Sequence, residues 1–166
     1  MYQIVDNFLS DIEAGAIEEY WTGPNAAWNF RSNLTFYNPD NSEQDNDHCF
    51  YGVMLWKMPH GKNNIQFDTV LPIIEKLKCK ALVKIQANSY PRSNTLVKHG
   101  LHIDFPFHHK SCVYYVNTNN GYTILKDGTK IESIRNRALF FDGVEEHCST
   151  TCTDKKIRVT LNFNHF

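Results

Sequence analysis

The chain has 166 residues, of which 42% are hydrophobic, 13% aromatic and 21% charged, and its formal net charge is -1. That balance suits a globular chain of one domain's length and excludes collagen-like and disordered classes; no run approaches the ~18 apolar residues of a membrane helix. Near-neutral charge argues against a basic nucleic-acid grip over the whole surface, though not against a local basic groove.

The N-terminal stretch MYQIVDNFLSDIEAG lacks a basic n-region and a long apolar core, so no secretory leader is expected. Ser10 followed by Glu13 forms a capping-box pattern, and Ile12, Ala16, Ile17 and Tyr20 recur on a helical period, which predicts a helix over 11–21. A polar loop at 38–48 holds Asp40, Glu43, Asp45 and Asp47 but has neither the glycine nor the terminal glutamate of a calcium loop in register. It reads as a solvated loop that would act as a lid if it lay near a site. Val70, Leu71, Ile74 and Leu77 share a face and predict a second helix over about 67–80, with Pro72 tolerated near its start. Trp28, Phe30, Trp56 and Phe67 read as core or sheet cover.

From Leu82 the pattern changes to short β-rich runs at 82–90, 111–117, 122–125, 129–134, 138–141 and 157–164. Asn119-Asn120-Gly121 and Lys126-Asp127-Gly128 supply turns between them. The expected fold is mainly β with flanking N-terminal helices, an antiparallel sandwich or small barrel of the jelly-roll kind, with the helices packed outside one sheet. The whole chain, 1–166, reads as a single domain in which 1–81 form a cover and 82–166 the core. The five cysteines, Cys49, Cys79, Cys112, Cys148 and Cys152, are odd in number and predict a reduced, cytoplasmic protein without a disulfide framework. Cys148 and Cys152 lack a second pair, so they read as isolated thiols rather than a structural zinc site.

His102-x-Asp104 places two side chains on one face of an extended strand, and His147 follows 43 residues beyond Asp104. Two histidines and a carboxylate fit the facial triad of a non-haem Fe(II) site, whose open positions serve oxygen chemistry. Arg158 lies 11 residues after His147, beyond the turn-like Asp154-Lys155-Lys156. Its planar guanidinium suits a carboxylate. Arg158, Thr160, Asn162 and Asn164 alternate with Val159, Leu161 and Phe163, giving one polar and one apolar strand face. The polar face either lines a site or meets solvent.

These residues resemble a family. The segment 87–166 is similar to the Fe(II)/2-oxoglutarate-dependent dioxygenases, and to their prolyl-4-hydroxylase-like branch in particular. The resemblance rests on Asn-Ser-Tyr-Pro at 88–91, His-Ile-Asp at 102–104, Cys-Val-Tyr-Tyr-Val-Asn at 112–117 and Asn-Asn-Gly-Tyr-Thr at 119–123. Asn-Arg-Ala-Leu-Phe-Phe-Asp-Gly at 136–143, His147 and Arg158 complete the ordered set. It implies a double-stranded β-helix in which His102, Asp104 and His147 hold Fe(II). It also implies that Arg158 and Tyr115 bind the distal carboxylate of 2-oxoglutarate, that Tyr90 sits beside the metal end of this cosubstrate, and that Thr160 assists Arg158. Tyr114 and Tyr115 adjoin, so one faces the core and the other the site; the choice of Tyr115 comes from the resemblance.

The implied activity uses O2 to hydroxylate a C–H bond while 2-oxoglutarate is decarboxylated to succinate and CO2. A peptidyl or small-molecule substrate is expected, with no membrane partner and with oligomeric state left open. Two alternatives stand beside it. One is an alkylated nucleic-acid demethylase of the same superfamily, which would carry a second arginine where this chain has Asn164. The other is a non-catalytic metal-binding β-sandwich or cupin-like module. His108 and His109 are placed on a loop over the site, and His48, His60, His99 and His165 read as surface or capping residues.

Overall fold

A computed structural model of the chain describes residues 1–31, 50–62 and 65–166. The polar 38–48 loop, with His48 and Cys49, lies outside the described residues. In chain order the elements are β1 (Gln3–Val5), α1 (Asp11–Thr22), β2 (Asn29–Arg31), β3 (Phe50–Lys57), β4 (Gly61–Lys62) and α2 (Leu71–Leu77). There follow β5 (Leu82–Pro91), β6 (Lys110–Tyr115), β7 (Tyr122–Leu125), β8 (Lys130–Glu132), β9 (Arg137–Asp142), β10 (His147–Ser149) and β11 (Ile157–His165).

The larger sheet runs β1-β9-β6-β11-β5-β3-β2, with β4 paired to β3, and the smaller runs β10-β7-β8. Two antiparallel bridges, Lys98 to Thr150 and His102 to His147, lay the 98–102 segment alongside β10 and its C-terminal flank. From β5 to β11 the chain passes repeatedly between the two sheets, which is the jelly-roll winding expected of a double-stranded β-helix.

The capping box at Ser10 and Glu13 is present, and α1 starts where it predicts. The second helix is shorter than 67–80. Residues Ile65–Val70 form a 3-10 turn, α2 begins with Pro72 in its first turn, and Lys78 adopts the left-handed conformation that ends it. Four strands ahead of Leu82 (β1, β2, β3 and the two-residue β4) join the larger sheet, beyond the β-rich runs that the sequence pattern predicts. β1 and β2 are too short to show a period, and β3 is a nearly continuous apolar run.

Ala14, Ile17 and Trp21 of α1 pack in one cluster with Tyr114, Val159, Leu161 and Phe163 of the larger sheet. Trp21 is fully buried, with its ring centroid 5.2 Å from that of Trp28. Each such large apolar side chain contributes about 1.5–3 kcal/mol. The apolar face of β11 is thus covered by helix, which turns its polar face toward the space between the sheets. Trp56 and Phe67 also serve as sheet cover, but Phe30 is exposed, its ring centroid 6.0 Å from that of Tyr51.

Asn136 and Arg137 fasten the N-terminal segment to the core. Asn136 holds a positive φ of 62°. Its Oδ1 accepts from the Leu9 amide (2.8 Å) and the Tyr114 hydroxyl (3.2 Å), and its Nδ2 donates to the Leu9 carbonyl (2.9 Å). Arg137 grips both carboxylate oxygens of Asp6. Asn136→Ala would orphan the buried Leu9 amide and carbonyl and put alanine at a positive φ. The expected cost is about 2–4 kcal/mol in urea unfolding, with divalent-metal affinity unchanged.

Candidate metal centre

His102, Asp104 and His147 come together as expected, their potential ligand atoms all within 4.8 Å of one another. Reciprocal backbone hydrogen bonds of 2.9 Å between His102 and His147 hold the two histidines side by side. Each imidazole turns Nδ1 toward a backbone carbonyl, His102 to Gly100 (3.3 Å) and His147 to Glu145 (3.1 Å). A carbonyl only accepts, so Nδ1 carries the proton and Nε2 is left for a metal. Burial, reinforced by the neighbouring His102, pushes the His147 imidazole down to about 4, so it is neutral at physiological pH, the state that ligates.

Asp104 is ionised. Burial alone would raise its carboxyl, but Lys84, His147 and His102 and a hydrogen bond from Asn164 outweigh it and hold the group well below the usual carboxylate range. Lys84 Nζ stands 3.1 Å from Oδ1, and Asn164 Nδ2 donates to Oδ2 at 2.8 Å. Asn164 Nδ2 also donates to Ser111 Oγ at 2.9 Å. Asn164→Ala would leave one carboxylate oxygen free to turn. Divalent-metal affinity, read by Mn(II) titration, is expected to fall about 10–100-fold.

The floor of the cavity is a ladder between β5 and β11. Arg158 pairs with Tyr90, Thr160 with Asn88, Asn162 with Gln86, and Asn164 with Lys84. The polar face of β11 therefore lines a site rather than meeting solvent, and β5 contributes a matching row. The cavity holds about 90 Å³. Asn162 Oδ1 is buried in its wall with no partner among the described residues.

Arg158 is fully buried. Its Nε donates to Ser133 Oγ (2.8 Å), Nη1 to Ser149 Oγ (2.6 Å) and the Thr150 carbonyl (3.4 Å), and Nη2 to Thr123 Oγ1 (3.3 Å). The guanidinium carbon lies 5.5 Å from the Tyr90 ring centroid and 5.8 Å from that of Tyr115. Every polar partner is neutral, and among the described residues no carboxylate pairs with it. Tyr115 cannot supply the missing charge, since burial pushes its phenol up to about 12 against the pull of Arg158. A buried cation without a counterion is costly unless an anion completes it. Gly121 gives it space, because a Cβ there would stand 2.5 Å from Arg158 Cδ.

Tyr90 and Thr160 line the cavity, and Tyr90 stands on the Arg158 rung of the ladder. Tyr115 is on the inward face of β6 while Tyr114 faces the helices, but it stands behind the wall and donates its hydroxyl to Thr123 Oγ1 at 2.8 Å. His99 and His165 are buried rather than superficial, and His99 lines the cavity. His108 is exposed against Asp142, whereas His109 is buried beside Asn164 and Ser111. Lys84 and Gln86 line the cavity beside Asn88 of the Asn-Ser-Tyr-Pro motif; no motif singles out these two, although their alternation with Ile85 and Ala87 carries the same period-2 signal as β11.

No family model and no curated protein matches the chain. Solved structures do. A Trichoplax adhaerens prolyl hydroxylase in complex with a peptide of the hypoxia inducible factor oxygen degradation domain aligns over 99% of this chain and 83% of its own, at 16% identity and a TM-score of 0.64. A Burkholderia pseudomallei oxidoreductase of the 2OG-Fe(II) oxygenase family aligns over 98% and 84%, at 12% identity and a TM-score of 0.66. The non-haem α-ketoglutarate-dependent epimerase SnoN of nogalamycin biosynthesis aligns over 99% and 77%, at 12% identity and a TM-score of 0.63. At these identities the likeness establishes the fold, and the fold hosts more than one reaction.

Proposed function

We propose that this chain is an Fe(II)- and 2-oxoglutarate-dependent dioxygenase that hydroxylates a C–H bond of a peptidyl or small-molecule substrate, acting as one unit over residues 1–166. The observation that carries the reading is one cavity holding both a His-Asp-His cluster and a buried arginine that has no counterion among the described residues. The cluster alone would suit several divalent metals. The arginine adds a demand for an organic anion, which a purely structural metal site or a cupin-like module does not explain.

In this reading His102, Asp104 and His147 hold the metal through two neutral imidazoles and one carboxylate. Bound there, iron would supply the oxidising chemistry with O2 as oxidant, one oxygen atom going to 2-oxoglutarate as it becomes succinate and CO2 and the other to the substrate C–H bond. Arg158 takes the distal carboxylate, with Ser149 and Thr123 fixing its guanidinium plane. Tyr115 acts through Thr123, while Tyr90 and Thr160 shape the sides of the cosubstrate pocket. The likeness to a prolyl hydroxylase solved with a peptide supports a peptidyl substrate. Against the nucleic-acid alternative, Asn164 is committed to Asp104 and Ser111.

The test is anaerobic addition of Fe(II) and 2-oxoglutarate to the metal-free chain, followed by visible absorption. A charge-transfer band is expected in the parent, weakened in His102→Ala. No band despite bound Fe(II) would return the chain to the metal-binding-module reading.

A further inference from the structure

Lys84 is the feature of the cavity that metal and cosubstrate leave unexplained. Its side chain is 14% exposed, and its ammonium stands 3.1 Å from Asp104 Oδ1 and 5.3 Å from the centroid of the Phe105 ring. Phe105 stacks on Phe107, which stacks on Phe166, so an aromatic strip leads from Lys84 to the surface. Among the described residues lining the cavity, Asp104 is the sole carboxylate and Lys84 and Arg158 are the lysine and arginine.

A divalent cation on Asp104 repels the lysine and competes with it for the carboxylate. Asn164 is held by Ser111 as well and is fully buried, so it stays in place. The flexible lysine is the donor that gives way. With a dication, a dianionic cosubstrate, Asp104 and Arg158 in place, the charges of the filled site cancel without Lys84. The lysine then adds one positive charge in a largely buried cavity, and that charge calls for an anion.

We propose that Lys84 is the recognition residue for a carboxylate on the substrate, and that metal binding frees it for this task by displacing it from Asp104. This inference rests on the dioxygenase reading for the charge of the filled site. The aromatic strip would carry the apolar body of the same substrate. The carboxylate belongs either to a free or terminal amino acid or to an acidic side chain of a peptide.

The test uses the full chain loaded with Mn(II), which does not turn over. Lysine acylation by an N-hydroxysuccinimide acetate ester is read by mass spectrometry, with the exposed Lys126 as reference. Mn(II) is expected to raise Lys84 acylation about fivefold or more over the metal-free chain. With 2-oxoglutarate also present, benzoate should reverse the gain while its neutral isostere benzamide does not. N-acetylglycine and N-acetylglutamate α-amide then distinguish a terminal from a side-chain carboxylate by which protects better.

Lys84→Met should bind Mn(II) as tightly as the parent or several-fold more tightly, since a nearby positive charge is gone. Acylation that does not rise with Mn(II), protection by benzamide equal to that by benzoate, or weaker Mn(II) binding by Lys84→Met would each overturn the proposal and leave Lys84 a structural support of Asp104. Failure of the dioxygenase reading looks different: the Fe(II)–2-oxoglutarate band is absent while the Mn(II)-dependent release of Lys84 persists.

Discussion

Arg158→Met is expected to weaken 2-oxoglutarate binding about 100- to 1,000-fold while leaving Mn(II) affinity within about threefold of the parent. The guanidinium is fully buried, and its hydrogen-bond partners are three hydroxyls and a carbonyl, all neutral. It therefore enters the cosubstrate complex already desolvated and already oriented, the condition under which a charge-assisted bond contributes most. Arg158 meets β10 at Ser149, two residues beyond His147, but the reciprocal backbone bonds between His102 and His147 hold the ligands without it, so their geometry survives.

The same substitution carries a second readout. An uncompensated buried cation burdens the empty protein, and methionine of similar length removes that burden. The metal-free variant should melt at the parent's temperature or above it. Saturating 2-oxoglutarate with Mn(II) should raise the parent's midpoint by about 5–10 °C and the variant's hardly at all. Unchanged 2-oxoglutarate affinity in the variant would remove the cosubstrate site and, with it, the dioxygenase reading.

The sequence made some parts of this site legible and concealed others for physical reasons. The β11 row stands out because Val159, Leu161 and Phe163 give it a strong apolar counterface. The β5 row carries the same alternation, but its counterface includes Ala87 and Ser89, which blunt the contrast. His102-x-Asp104 is visible because one strand supplies both side chains. Lys84 is tied to Asp104 across 20 residues, a contact that only the pairing of β5 with β11 and the return of the 98–102 segment create. Among the N-terminal strands, β1 and β2 are concealed by their length and β3 by an apolar run that shows no alternation. Asn136 is visible as a motif position but not as a clamp, because its partners Phe8 and Leu9 are 127 or more residues away.

Asp104→Ala is expected to abolish measurable divalent-metal binding, a loss of about 1,000-fold or more, and to destabilise the metal-free protein by about 3 kcal/mol. Both effects have one source. The carboxylate is the only anionic ligand of the cluster, and it also neutralises Lys84. A comparison within the chain separates burial from geometry. Lys62 and Asp68 approach more closely, at 2.8 Å, yet their side chains are 44% and 61% exposed against 14% and 8% for Lys84 and Asp104. Asp68→Ala should therefore change stability by less than about 0.5 kcal/mol despite the shorter contact. The pH dependence has a definite sign. The Asp104 carboxyl titrates below its ordinary range when folded, so its stabilisation is fully present above the unfolded value near 4 and drains away as pH falls further. The parent should lose stability more steeply than Asp104→Ala on the acid side of pH 4, and the two curves should run parallel above about pH 5. Parallel curves down to pH 2 would mean that the carboxylate gains nothing from Lys84 and Asn164 in the folded chain.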